Sequence, residues 1–443
     1  MRSLIKETVM EIKRDSYLRK IISSMWDGQV KVITGIRRCG KSYLLNPIFY
    51  NYLLSEGVKQ ENILSIELDK AKDIEFRNPL FLASYIRNLM EGKTERFYLF
   101  IDEIQMSDEI KNPYNPEGKK ITFYDALNDI NAIPNLDIYV TGSNSKMLSS
   151  DILTEFRGRS DEIRIHPLSF NEFYSVIGGD KTEAFEDYAF YGGMPFVLSR
   201  ENDSAKMDYL KALFSTVYIR DIVDRKKIKR EDILSATIDL LSSSIGSLTN
   251  PNNIAKSLNS RQKLKGEDVV SVNTVKSYID NLLDAYLFEE CRRYDVKGKN
   301  YFDYPNKYYC VDTGLRNARI GFRQQEMTHI MENIIYNELR IRGYEVDIGI
   351  VYSSESNKKK DRKTMTPREI DFLATKGGKK VYLQSAYAME SEEKERLENK
   401  PLSLTGDFFQ KIIVRHDISK RWYNEQGILN IGVIDFLLDD TLL

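Results

Sequence analysis

Apolar and polar positions fall into segments that can be read one at a time. RDSYLRKIISSMW places its apolar residues at helical spacing, and the run Val30, Lys31, Val32, Ile33, Thr34 that follows is short and β-branched, as a strand requires. SYLLNPIFYNYLL predicts a helix with Pro47 near its start, and RFYLFID and LDIYVT predict two further buried strands. From about Phe185 to Leu241 the pattern turns helical, most clearly in KMDYLKALFSTVYIRDIVDRKKI. NPNNIAKSLNSR and VVSVNTVKSYIDNLLDAYLFEECRRYD have a helix-turn-helix rhythm, with capping residues from Ser271 to Thr274. CRRYD and KYYCVD predict a β pair after it. In the last third, MENIIYNELRIRGYEVDIGIVYSS predicts a helix and then a strand, and SESNKKKDRKTMTP a polar, basic loop. REIDFLAT, a KGGKK turn and KVYLQSAY predict a β-hairpin, and KIIVRHDIS and ILNIGVIDFLLD the closing strands.

A chain of 443 residues is too long for one core, so two or three domains are expected. Lys and Arg total 65 against 66 Asp and Glu, a formal net charge of -1. A global basic excess is thereby excluded, and only a local patch could grip nucleic acid. Cys39, Cys291 and Cys310 are far apart and form no CxxC, which points to a reducing compartment rather than a disulfide framework. The first twenty residues have no signal-peptide core, and no apolar run approaches the ~18 residues of a spanning helix. A cytoplasmic location with no membrane partner is expected. His166, His329 and His416 are scattered without ligand spacing.

The chemistry concentrates between the first predicted strands. GIRRCGKS completes the pattern G-x-x-x-x-G-K-S, and Gly35, Ile36, Arg37, Arg38, Cys39, Gly40, Lys41, Ser42 and Tyr43 form the expected ATP-binding set. Such a loop curls backbone N–H groups around phosphates. Lys41 would reach the β- and γ-phosphates, and the Ser42 hydroxyl would hold Mg²⁺. At the end of RFYLFIDEIQ, Asp102 would hold the Mg²⁺ through water and Glu103 would orient or deprotonate the attacking water. After LDIYVT, either Ser143 or Asn144 stands where a polar side chain could sense the γ-phosphate. In FRGR, Arg157 and Arg159 are the candidate arginine fingers, Arg159 being preferred.

The order of GIRRCGKS, FIDEIQ, VTGSN, FRGR, HPLSFNEF and YGGMP resembles a group of bacterial and archaeal AAA-family ATPases with an uncharacterised C-terminal region. The resemblance covers nearly the whole chain. It implies an α/β fold: a P-loop NTPase (AAA-type) parallel sheet with helical lid, then a winged-helix-like and a restriction-endonuclease-like α/β region. The implied divisions are 1–165, 166–230, 231–325 and 326–443. Gly35 to Ser42 correspond to Walker A, Asp102 and Glu103 to Walker B, and Asn144 or Ser143 to sensor 1. Gly193 and Pro195 resemble a glycine-x-proline stretch near the adenine.

In the winged-helix-like part, Asn273, Thr274, Lys276 and Arg292 are the residues that could read DNA, the alternative being a packing module. The last part resembles nuclease folds that place a helix Glu, a strand Asp and E-x-K around Mg²⁺. Glu332 and Asp371 are present, but the E-x-K positions hold Gln384, Ser385 and Ala386. Gln is a poorer ligand for a hard divalent ion than a carboxylate, and Ala386 offers nothing to water. An inactive nuclease fold is expected, with a weak metal site at Glu332 and Asp371 as the alternative. Three functions stay open: an ATPase that uses ATP and Mg²⁺ to act on DNA or protein, an ATP-gated binding module, and an ATP-regulated nuclease. A finger acting in trans would require assembly into a homo-oligomer.

Overall fold

The computed structural model describes residues 12–142, 160–263, 269–323, 326–357, 362–389 and 391–443. The chain forms two compact units, Met1–His166 with Asp284–Tyr286, and Pro167–Leu283 with Leu287–Leu443. No helix among the described residues is long and apolar enough to cross a membrane.

The first unit is built on five parallel strands, β1 (Val30–Thr34), β2 (Ile63–Glu67), β3 (Phe97–Asp102), β4 (Leu136–Thr141) and β5 (Ser160–Arg164), in the spatial order β2-β3-β4-β1-β5. β1, β3 and β4 are nearly continuous apolar runs because helices cover a parallel sheet on its faces. Val30, Val32, Leu99, Ile101, Ile138 and Val140 share a core with Leu82 and Ile86 of the Pro79–Met90 helix and Leu127 of the Phe123–Ile130 helix. The fully buried Lys31 is the exception in β1. Its ammonium meets Asp137 at 2.6 Å and Asp27 at 2.7 Å, and the Tyr139 hydroxyl donates to Asp137 at 2.7 Å, so the buried charge is paired. Burial beside Asp137 pushes the Tyr139 phenol far above its ordinary range.

The helix expected over SYLLNPIFYNYLL is interrupted. It starts at Lys41, but Asn46 has φ -141° and ψ 110°, and regular helix resumes at Tyr50–Ser55. Pro47 is the cause: its ring disfavours helical geometry at the preceding residue, and it has no N–H to donate.

In the second unit the helices Glu231–Ser243, Pro251–Lys263 and Val272–Asp284 precede an antiparallel pair of strands, β6 (Phe288–Cys291) and β9 (Lys307–Cys310). Between these two lie β7 (Arg293–Asp295) and β8 (Asn300–Tyr301). The β pair expected from CRRYD and KYYCVD is therefore split, because the partner of KYYC is FEEC while RYD joins a larger sheet. That sheet adds β10 (Glu345–Asn357), β11 (Arg362–Lys376), β12 (Lys379–Ala386), β13 (Gln410–Arg415), β14 (Trp422–Tyr423) and β15 (Leu429–Gly432), in the order β14-β15-β13-β12-β11-β10-β7-β8. The helix Met327–Ile341 precedes β10, and Glu392–Ser403 lies between β12 and β13.

Three expectations for this region need correction or support. β11 and β12 form the expected hairpin: Lys376 pairs with Lys379 across Gly377 and Gly378, whose φ of 52° and 83° suit a tight two-residue turn. SESNKKKDRKTMTP is mostly strand rather than loop, since β10 and β11 stay paired as far as Asn357 and Arg362. Backbone pairing does not require apolar side chains, which is why hydropathy missed it. VIDFLL is helical at Val433–Leu438, not a strand.

The YGGMP stretch interlocks with the start of a later helix inside this unit. Gly193 donates its N–H to Asp312 at 2.6 Å, and Asp312 caps the Thr313–Arg319 helix through the Leu315 N–H at 2.9 Å. A Cβ at Gly193 would stand 2.2 Å from the Leu168 carbonyl oxygen, so only glycine allows this approach. Burial pushes the Asp312 carboxyl up to about 6, against the backbone N–H groups of Leu315 and Gly193, which favour its charged form. The folded chain thus holds this proton more tightly than the unfolded one. Stability from this group is full below the unfolded value and is lost as pH rises through about 6. The unfolding free energy of the wild type minus that of Asp312→Asn should fall by on the order of 3 kcal/mol from about pH 4 to about pH 7. Urea denaturation of both proteins across that range measures it, and a flat difference would refute the assignment.

Candidate nucleotide-binding site

In a parallel sheet all strands end at the same edge, and the loops there gather residues distant in sequence. The GIRRCGKS loop leaves β1 at this edge. Its path needs positive φ at Gly35 (139°), Arg38 (65°) and Gly40 (104°). Gly35 runs so close to the segment after β5 that a Cβ there would lie 2.2 Å from the Ile165 carbonyl oxygen. Ile36 and Cys39 are buried, Arg37 is half-buried and Arg38 is exposed. The Cys39 thiol donates to the Ile165 carbonyl at 3.6 Å, holding the loop against the same segment. Lys41 is buried and its ammonium donates to the carbonyls of Gly35 and Ile36 at 3.1 and 3.0 Å. The Tyr43 hydroxyl accepts the Ile12 N–H at 3.4 Å.

β4 lies between β1 and β3, which decides how the two motifs meet. The exposed Ser42 hydroxyl donates to Asp102 Oδ1 at 2.9 Å, across from the end of β3. Thr141, the last residue of β4, donates its hydroxyl to the same carboxylate oxygen and accepts the Glu103 N–H at 3.1 Å. Glu103 is held at φ 57°, an uncommon conformation for a residue with a side chain, and its carboxylate accepts a hydrogen bond from Gln105. One chain of hydrogen bonds thus joins Walker-A-like Ser42, Asp102, Thr141 and Glu103.

Thr141 was not among the sequence-predicted site residues. Its signal was available: it ends LDIYVT at the level where Asp102 ends FYLFID. At the other side of β1, the Thr34 hydroxyl donates to Glu162 at 2.7 Å, the Tyr286 hydroxyl lies 3.5 Å from Glu162, and the Arg164 guanidinium sits 4.6 Å from the Tyr286 ring centre. Ser143, Asn144, Arg157 and Arg159 lie outside the described residues.

The site fits a nucleotide with a hard divalent ion. Ser42 and Asp102 are adjacent oxygen donors of the kind Mg²⁺ prefers. An AAA domain model matches residues 27–174, which contain the whole loop, β3 and β4. Residues 27–174 are an AAA domain. An uncharacterized protein of Haemophilus influenzae is 32% identical over 435 residues, covering 96% of this chain and 98% of that protein. An uncharacterized protein of Methanocaldococcus jannaschii is 28% identical over 396 residues, covering 85% and 79%. A Walker-type ATPase of Pyrococcus abyssi superposes with a TM-score of 0.48 at 16% identity, covering 70% of this chain and 96% of that one. That likeness is too low to carry the assignment, which rests on the AAA domain match over residues 27–174. Residues 182–326 match a domain of unknown function, so the AAA name extends to the first part of the chain and not to the chemistry of the rest.

The residues named beyond the AAA domain are all in the second unit. Asn273 and Lys276 are exposed on the Val272–Asp284 helix, Thr274 receives a cap from Ser271 at 3.1 Å, and Arg292 packs 4.4 Å from the Tyr301 ring centre. Pro195 opens a short helical turn, Pro195–Ser199. Asp371 of β11 and Gln384 of β12 are neighbours, and Glu332 and Asp371 both lie against Lys307. Asp371 accepts the Ser385 N–H at 2.8 Å, and its own N–H donates to Gln384 at 3.4 Å. Among the described residues no group of three or more His, Cys, Asp or Glu side chains is arranged to hold a metal ion. Lys307 stands among the acids, and Glu369, two residues before Asp371 on the same face of β11, faces it as well. Burial works against the Lys307 charge, but the carboxylates of Glu332, Asp371 and Glu369 outweigh it and hold its proton well above the ordinary range.

Proposed function

We propose that this protein is a Mg²⁺-dependent ATPase that converts ATP and water to ADP and phosphate and passes its nucleotide state to a partner through the region beyond residue 166. The observation that carries the reading is the bond network that places Ser42, Asp102, Thr141 and Glu103 at one sheet edge. Lys41 would leave the loop carbonyls to neutralise β- and γ-phosphate charge. Ser42 and Asp102 would hold Mg²⁺, which supplies positive charge to the phosphate oxygens. Thr141 fixes the Asp102 carboxylate and the Glu103 backbone, so that Glu103 can orient a water and take its proton. Arg159 is proposed as the finger and Asn144 as the γ-phosphate sensor.

For the remainder we propose a helical lid over 166–230, a winged-helix-like module over 231–325 and an inactive restriction-endonuclease-like domain over 326–443. Three helices followed by the β6–β9 pair support the second of these. A helix, the antiparallel β10-β11-β12, a helix and the parallel β13 support the third. Gln384 and Ala386 speak against cleavage. The partner is DNA or a protein.

Phosphate release from ATP, measured with Mg²⁺ or EDTA and with single-stranded DNA, duplex DNA or RNA at stated salt, tests the reading. Turnover is expected with Mg²⁺ and not with EDTA. Stimulation by a nucleic acid places the partner class, and a rate indifferent to all three favours a protein. ATP binding without phosphate release under every condition would replace this reading with a gated binding module.

A further inference from the structure

Glu332, Glu369 and Asp371 surround a cation supplied by the chain itself. Lys307 lies on β9, which pairs with β6 and not with the large sheet. Its side chain is 5% exposed, and its ammonium lies 2.8 Å from Glu332, 2.7 Å from Glu369 and 3.6 Å from Asp371. These acids come from separate elements, Glu332 from the Met327–Ile341 helix and the others from β11. Their orientation is fixed from outside the cluster: Tyr309 donates its hydroxyl to Glu332 at 2.6 Å, and the Ser385 N–H holds Asp371. The ammonium donates to Glu332 at 2.8 Å, meets Glu369 at 2.7 Å as an ion pair, and stands near Asp371 without a hydrogen bond to it.

We infer that Lys307 is the resident cation of this site, standing among Glu332, Glu369 and Asp371 in place of a metal ion, and that its removal lets these carboxylates draw together around a hard divalent cation. Two buried carboxylates, Glu332 and Asp371, beside the half-buried Glu369 require positive charge nearby. Lys307 provides it without an exchangeable ion and without an activated water, so the site ties β9 to the large sheet and performs no hydrolysis. Metal–oxygen distances are shorter than these ammonium contacts, roughly 2.0–2.6 Å, so the carboxylates would draw inward on a metal. No residue of the first unit takes part, so the inference stands or falls separately from the ATPase reading.

The test uses the full chain without nucleotide, titrated with Mn²⁺ and followed by electron paramagnetic resonance and thermal melting. Wild type and Lys307→Arg should melt alike, with no Mn²⁺ effect that depends on Asp371. Lys307→Met should melt lower, recover with Mn²⁺, and bind Mn²⁺ at least about tenfold more tightly than wild type. Adding Asp371→Asn to Lys307→Met should remove that gain. If Lys307→Met does not fold, Lys307→Met/Glu369→Gln, with one carboxylate fewer to repel, takes its place under the same expectation. Mn²⁺ binding by the wild type that disappears in Asp371→Asn would overturn the inference, and so would a Lys307 variant indifferent to Mn²⁺.

Discussion

Glu103→Gln is expected to lower the ATP turnover number by about 10²–10³-fold while leaving ATP affinity within a few-fold of wild type. The substitution keeps size and hydrogen bonding but removes the group that could take a proton from water. Backbone placement survives, because Thr141 holds the Glu103 N–H and not the carboxylate. Binding survives because Lys41, Ser42 and the loop are untouched. Thr141→Val is the informative companion. It removes a hydroxyl bonded to Asp102 and Glu103, so it should slow turnover less than Glu103→Gln and also raise the Mg²⁺ concentration that turnover requires. Single-turnover phosphate release and equilibrium binding of a fluorescent ATP analogue separate the two effects. Wild-type turnover in Glu103→Gln would remove Glu103 from the chemistry.

Gly35→Ala should abolish ATP binding and destabilise the first unit by roughly 2–4 kcal/mol. Two effects combine at this residue. Its φ of 139° is strained for alanine, and the new Cβ would meet the Ile165 carbonyl oxygen at 2.2 Å and the Cys39 sulfur at 3.1 Å. The loop would have to move off β5 and lose its cradle. Gly57→Ala separates the causes, since Gly57 has φ 83° with nothing within 4 Å of an added Cβ. That control should cost only about 1 kcal/mol and leave ATP binding intact. Equal losses for the two substitutions would mean that the close approach at Gly35 is unimportant.

Much of the nucleotide site was legible in the sequence because its signals are local. A β-branched run, a glycine-spaced loop and an apolar run ending in two acids each lie within about ten residues. Pro47 shows the limit of that reading: the residue was visible, but helical spacing on both sides outweighed it. The paired ends of β10 and β11 and the VIDFLL helix were misread for a related reason, since hydropathy alone does not tell whether a backbone finds a partner strand.

The amino-acid sequence by itself determined the phosphate loop, the Asp102–Glu103 pair, the Gly377–Gly378 hairpin and the neutral side chains at Gln384 and Ala386. Each depends on side-chain type and on φ/ψ preference over a few neighbours. Tertiary structure alone decided that β4 enters between β1 and β3, so that Thr141 joins Asp102, and that Lys307 of β9 enters the acids of β11 and the Met327–Ile341 helix. Those placements are set by strand order and by the need to pair charges taken out of water, conditions met only when distant segments are folded together.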